Sequence, residues 1–296
     1  MKSCGIDNKN RQMRKFLLIA LGILAALSAS FAGGRGDKKT KGATSLPPFS
    51  ELSTTLDSII QEAWNLYDSE RVNWIASDLA MEKYRGDEVG GFLSWLSDDS
   101  VQCAIFFDNE KKNCILEYKY DKKTYKSSKA DTIRPLTAEE LATKQRQDAM
   151  LNNALKMYGD SLLFAGNSFG SPNIDVIRIN DKITRIYFLQ GTIQHNVIPF
   201  GNDYSIDVDE NLQPVAFRRY HNSLIATRTK SEDGTKELKS TMHSHLKDNP
   251  FITPTDICNF LLYRPRDMDM FVVLSTAFNC RFLYSAERNN IDIITE

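Results

Sequence analysis

The sequence predicts an α+β protein, a mixed or antiparallel sheet with flanking helices. Three observations carry that expectation. Across residues 51–84 apolar side chains recur at three- and four-residue spacings (Leu56, Ile59, Ile60, Ala63, Trp64, Tyr67), the period of an amphipathic helix. Short strand-like runs then follow one another across polar turns, which is the pattern of antiparallel meanders rather than alternating βαβ units. A second helix opens on the capping box Thr137-Ala138-Glu139-Glu140 and stops at Gly159.

Taken in order, the first helical stretch breaks near 69–73 into two helices, and Gly86 closes the second. Gly90-Gly91 opens extended structure. Runs at 92–96, 101–107 and 114–120 form a meander whose turns are Ser97-Asp98-Asp99-Ser100 and residues 108–113. A charged, Ser-rich segment leads to the capped helix. Short strands between 174 and 228 are punctuated by Asn180-Asp181, Gly201-Asn202-Asp203 and Asp209-Glu210-Asn211. A solvated turn at 231–236 precedes a strand ending near His245. Thr253-Pro254-Thr255-Asp256 is a helix start, with Thr as N-cap, Pro at N1 and an acid at N3, and the helix runs to about Tyr263. Apolar runs at 270–276 and 281–285 follow.

The chain divides into a signal peptide (1–32), a flexible tether (33–50), helices with a β-meander (51–135), and a helix, strands and motif-bearing region (136–296). Residues 51–296 also fit one domain with a large insertion. Arg14 and Lys15 precede an apolar run at 16–27, and Ser30-Phe31-Ala32 supplies small residues for cleavage. An exported protein, periplasmic or extracellular, is expected, with no stable membrane span after cleavage, because the run is short for one. An uncleaved anchor is the alternative.

The full chain carries a net charge of −1. Residues 1–32 contain Lys2, Lys9, Arg11, Arg14, Lys15 and Asp7, so the remainder stands at about −5. With no basic stripe, a nucleic-acid partner is excluded. Cys103 and Cys114 flank the polar turn at 108–113 and are expected to face each other across a hairpin, either bridged or as free buried thiols. Cys258 and Cys280 are expected to lie near each other. No Cys-x-x-Cys is present, and neither a phosphate-binding loop nor a dinucleotide fingerprint occurs.

Chemistry concentrates in Met242-His243-Ser244-His245 and the helix start after it. Strand residues i and i+2 face one side, so one metal ion could take both imidazoles, with Asp256 arriving from the helix's first turn. Two histidines, one carboxylate and a position left for water make a catalytic zinc arrangement. These residues resemble the JAMM (MPN-type) zinc metallopeptidases, whose motif is His-x-His, seven residues, Ser, two residues, Asp. Here it reads His243-Ser244-His245, seven residues, Thr253, Pro254-Thr255, Asp256, and the resemblance spans about 238–285. Leu246 stands where the family usually has Pro. The resemblance implies a cytidine-deaminase-like C-terminal core and zinc ligation by His243, His245 and Asp256. It also implies hydrolysis of amide bonds in peptide, protein or cell-wall substrates, with Thr253 helping to hold the oxyanion.

Such a hydrolase needs a glutamate as general base. Glu88-Val89-Gly90-Gly91-Phe92-Leu93 has the family's Glu-x-x-Gly-x-Leu form, so Glu88 is expected on the strand beside the His243 strand, pointing into the same cleft. At the family's usual spacing Gln190 stands instead. Without a base, the chain reads as a non-catalytic exported binding module on the same scaffold. Gly166-Asn167-Ser168-Phe169-Gly170 matches a nucleophile elbow, and serine hydrolysis at Ser168 is the remaining alternative. The following Ser171-Pro172-Asn173 fits a loop, not the helix an elbow requires. Asp207 to Asn211 lacks the Gly and closing Glu of a calcium loop and reads as a hairpin turn. His195 and His221 stand alone and read as structural or solvent-facing.

Overall fold

The computed structural model describes residues 44–164 and 169–295. The signal segment, most of the tether and Ser168 lie outside the described residues. A single helix, α1 (Phe49–Lys83), runs about 50 Å at 1.5 Å per residue and serves as the spine. Three sheets and a two-stranded ribbon are arranged around it. The first sheet, β1 (Gly91–Leu96), β2 (Val101–Phe107), β3 (Asn113–Asp121) and β4 (Lys126–Ala130), is an antiparallel meander, with the short β5 (Arg134–Pro135) also on β3. Helix α2 (Ala138–Tyr158) carries the expected capping box, with Thr137 and Glu140 bonded reciprocally.

The second sheet orders β10 (Pro214–Arg219), β9 (Tyr204–Asp209), β7 (Ile183–Gln190) and β6 (Pro172–Arg178), all antiparallel. The ribbon pairs β8 (Val197–Phe200) with β11 (Ile225–Arg228). The last sheet runs β12 (Ser240–His245), β13 (Met270–Ser275), β14 (Cys280–Ser285), β15 (Asn290–Thr295). Its β12–β13 pair is parallel, and helix α3 (Pro254–Tyr263) lies in the crossover that a parallel pair requires. The mixed α+β architecture is the one expected. Among the described residues, no helix is long and apolar enough to cross a membrane.

Four details differ from expectation. The break at 69–73 does not exist, because the polar residues there are buried against partners. Asp68 pairs with Lys122 at 2.9 Å, Ser69 donates to Asp175 at 2.6 Å, and Asn173 donates to Glu70 at 2.8 Å. The helix therefore continues through a polar stretch while its apolar faces change partners. Leu52, Leu56 and Ala63 join the core of the last sheet, while Val72, Ala76 and Ala80 join that of the first. The charged stretch at 126–130 is strand β4, whose five residues are all exposed, so no alternation marks it. The last tether residues are docked: Thr44 donates to the Ala277 carbonyl, Leu46 packs on the core and Phe49 begins α1.

The cysteine expectation fails on register. Cys103 stands opposite Lys119 and Cys114 opposite Phe107, so they are not hairpin neighbours. All four described cysteines are buried free thiols, and Cys258 and Cys280 belong to different core clusters. Burial pushes the Cys103 and Cys114 thiols up to about 11, which leaves them protonated and unreactive near neutral pH.

The buried pair Glu70–Asp175 gives a testable consequence. Burial, then the neighbouring Asp175 charge, raises Glu70 well above the ordinary carboxyl range. Asp175, which accepts from Ser69 and Asn73, is the better-served carboxylate, so the proton resides on Glu70. A carboxyl raised by folding binds more protons folded than unfolded, so it contributes stability below its unfolded value and loses it as pH rises. Glu70→Gln, which imitates the protonated acid, is expected to match the parent near pH 4. Above that it should become progressively more stable, by about 1.4 kcal/mol per pH unit until the folded value is passed. Urea unfolding from pH 4 to 8 measures this, and a constant difference across that range would contradict it.

Candidate metal centre

Strand β12 alternates as a half-buried strand should. Met242 and Ser244 are exposed, while His243 and His245 turn inward, 8% and 2% exposed. The chain then turns through 246–252 and enters α3, where Thr253 caps the helix. The Thr253 hydroxyl accepts from the Asp256 amide, and Asp256 Oδ2 accepts from the Thr253 amide at 2.9 Å and hydroxyl at 2.7 Å. This capping box does more than start a helix. By occupying Oδ2 it aims Oδ1 of Asp256, which has no hydrogen-bond partner, at the two histidines.

A fourth donor completes the group. His221, just past the end of β10, is 6% exposed and brings its Nε2 to 2.9 Å from that of His245. The His243 and His245 Nε2 atoms are 3.2 Å apart. Asp256 Oδ1 lies 3.2 Å from Nε2 of both His221 and His243, and Oδ2 lies 3.4 Å from that of His245. All four donor atoms fall within 4.8 Å of one another. Donors placed tetrahedrally around zinc at 2.0–2.1 Å stand about 3.3 Å apart, so these separations are the edges of such a polyhedron. Hydrogen bonding alone cannot account for them, because three imidazole nitrogens and one carboxylate oxygen, all bearing lone pairs, converge on a point that offers few donors. The residues present fit a metal ion.

The outer nitrogens are treated unequally. His221 Nδ1 lies 2.8 and 3.0 Å from the two oxygens of Asp203, and His245 Nδ1 lies 2.5 Å from the Phe251 carbonyl. His243 Nδ1 has no partner; that ring packs instead against Phe200 and Phe271. Electrostatics follow from burial and from these neighbours. Burial disfavours a charged His221, yet Asp203 and then Asp256 outweigh it and raise its proton affinity well above that of an ordinary imidazole. His245 is lowered, by burial first and by its two fellow histidines against the pull of Asp256. Burial would raise Asp256, but the three imidazoles hold its carboxyl well below the usual range. Such a site is primed to exchange bound protons for a cation.

The sequence-predicted residues fare differently. His243, His245 and Asp256 come together as expected. Thr253 is beside them, but its hydroxyl proton is committed to Asp256 Oδ2. Glu88 is misplaced by the expectation: the strand beside β12 is β13, whereas Glu88 lies in the turn between α1 and β1, half-exposed and accepting from the Arg85 amide at 2.7 Å. Among the described residues no glutamate joins the metal-ligating group. Gln190 donates to the Gly170 and Gly191 carbonyls. His221 was missed, because a lone His after Arg-Arg-Tyr has no spacing that marks it. His195 is exposed, as expected.

Fold and site together define an α+β protein with a buried three-histidine, one-aspartate group able to hold a metal ion. No protein-family model, no curated protein and no solved structure matches the chain.

Proposed function

We propose that this chain is an exported zinc protein whose metal is enclosed by His221, His243, His245 and Asp256, and that it acts as a non-catalytic binding module on a JAMM-like scaffold. The observation that carries this is His221. It supplies a fourth protein donor where a hydrolytic zinc centre keeps a position for water. The near-complete burial of all four donors points the same way, and so does the lack, among the described residues, of a glutamate in the group. A closed centre of this kind contributes folding energy directly. Here it would join the end of β10, strand β12 and the start of α3. Export is supported by the residues 14–32 pattern alone.

A hydrolase reading keeps one supporting observation, the His243/His245/Asp256 spacing followed by the α3 crossover. Metal analysis of the purified mature protein, with cobalt substitution, separates the two. One zinc per chain, a tetrahedral cobalt spectrum and no turnover of peptide or cell-wall amides are expected, with Glu88→Gln unchanged in metal content. Amide hydrolysis that disappears in His243→Ala/His245→Ala would reject the closed-centre reading. A metal-free parent protein would reject zinc altogether.

A further inference from the structure

We infer that Asp203 is a positioning residue for this centre: its carboxylate grips Nδ1–H of His221 and thereby turns the lone pair of Nε2 toward the other three donors. The inference rests on the metal reading above and goes beyond it to the residue that holds the fourth ligand in place.

The chain builds this contact deliberately. Gly201 and Asn202 adopt left-handed conformations, with φ of 81° and 51°, and deliver Asp203 to the start of β9. Across the β9–β10 hairpin, Tyr204 faces Arg219, and one step further the Tyr220 amide donates to the Asp203 carbonyl at 3.1 Å. Asp203 and His221 therefore meet at the open end of one hairpin. The Thr255 hydroxyl, from the first turn of α3, donates to Asp203 Oδ2 and steadies the carboxylate. Asp203 is fully buried, and a buried carboxylate demands strong donors. An ionised carboxylate only accepts, so the His221 nitrogen facing it must carry the hydrogen. Nδ1 thus keeps its hydrogen, and Nε2, 2.9 Å from His245 Nε2 and 3.2 Å from Asp256 Oδ1, is the nitrogen left to face a cation.

Comparison of the three rings makes the role specific. A backbone carbonyl holds His245, and nothing polar holds His243 from behind. Only His221 is held by a charge, and it is also the one ligand from outside the β12–α3 segment. Asp203 and Thr255 thus tie the separate hairpin to the segment that carries the other donors.

The test measures zinc affinity of the full-length mature protein by chelator competition, together with the absorption spectrum of its cobalt form. Asp203→Ala is expected to weaken zinc binding 10- to 100-fold and to shift the cobalt spectrum. Asp203→Asn, which keeps an acceptor without the charge, should restore part of the loss, and Thr255→Val should fall between it and the parent. A buried carboxylate with a purely structural role would lower thermal stability and leave the cobalt spectrum and zinc affinity alone. Parent-like affinity and spectrum in Asp203→Ala would overturn the inference. If that variant does not fold, the same parent-like result in Asp203→Asn overturns it. Failure of the parent itself to bind zinc would instead strike the metal reading.

Discussion

With zinc in the proposed site, stripping it with a strong chelator is expected to lower the protein's melting temperature by about 10 °C, and added zinc should restore it. A ligand present at a thousand times its dissociation constant stabilises the folded state by about 4 kcal/mol. For a domain of this size each kcal/mol moves the midpoint by roughly 2–4 °C. The proposed site would make the loss acute, since four buried polar side chains would lose a shared partner at once. Asp256→Ala should show the same fall and no further response to chelator. It should be lower still by about 1 kcal/mol, because the Asp256 side-chain half of the capping box, which accepts from the Thr253 amide and hydroxyl, is lost as well. Calorimetry with and without chelator checks both statements. A parent protein indifferent to chelator, at full zinc occupancy, would show that the metal is not part of the fold's stability.

Gly201→Ala should cost about 3 kcal/mol of stability and weaken zinc binding with it. An added Cβ would stand 2.1 Å from the Ser223 carbonyl oxygen and 3.2 Å from Cβ of His221, in a backbone with φ of +81°. The turn cannot yield without moving Asp203 or His221. Gly234 is the natural control: its φ is +70°, yet nothing lies within 4 Å. Gly234→Ala should therefore cost only about 1 kcal/mol and leave the metal centre untouched. Equal losses in the two variants would mean that the left-handed backbone alone matters, and that the packing of the Gly201 turn against His221 does not.

Local signals were enough for much of this molecule. The capping boxes at Thr137 and Thr253, the first meander and the strand that turns His243 and His245 to one side all depend on residues close in sequence. Asp256 was legible too, because a helix N-cap places its third residue at a known point in space. What the sequence could not show is anything created by pairing distant segments. The polar stretch of α1 looked like a break because its partners Lys122, Asn173 and Asp175 lie 50 to more than 100 residues away. Strand β4 was hidden because its side chains face only solvent. Cys103 and Cys114 seemed adjacent until the register set Lys119 opposite the first and Phe107 opposite the second.

The metal centre divides along the same line. The sequence by itself determined three donors, since a two-residue spacing on a strand and a capped helix start are local geometry. Only the tertiary structure decided the fourth. His221 and Asp203 stand just beyond the strands at the open end of one hairpin, which the sheet lays against β12 and α3, and no spacing along the chain encodes that approach. The same assembly left Glu88 in the turn between α1 and β1, bonded to Arg85 and leading into a different sheet from that of the histidines. Whether a metal position stays open for water or is filled by protein is therefore settled by how sheets pack, because coordination counts neighbours in space and not in sequence.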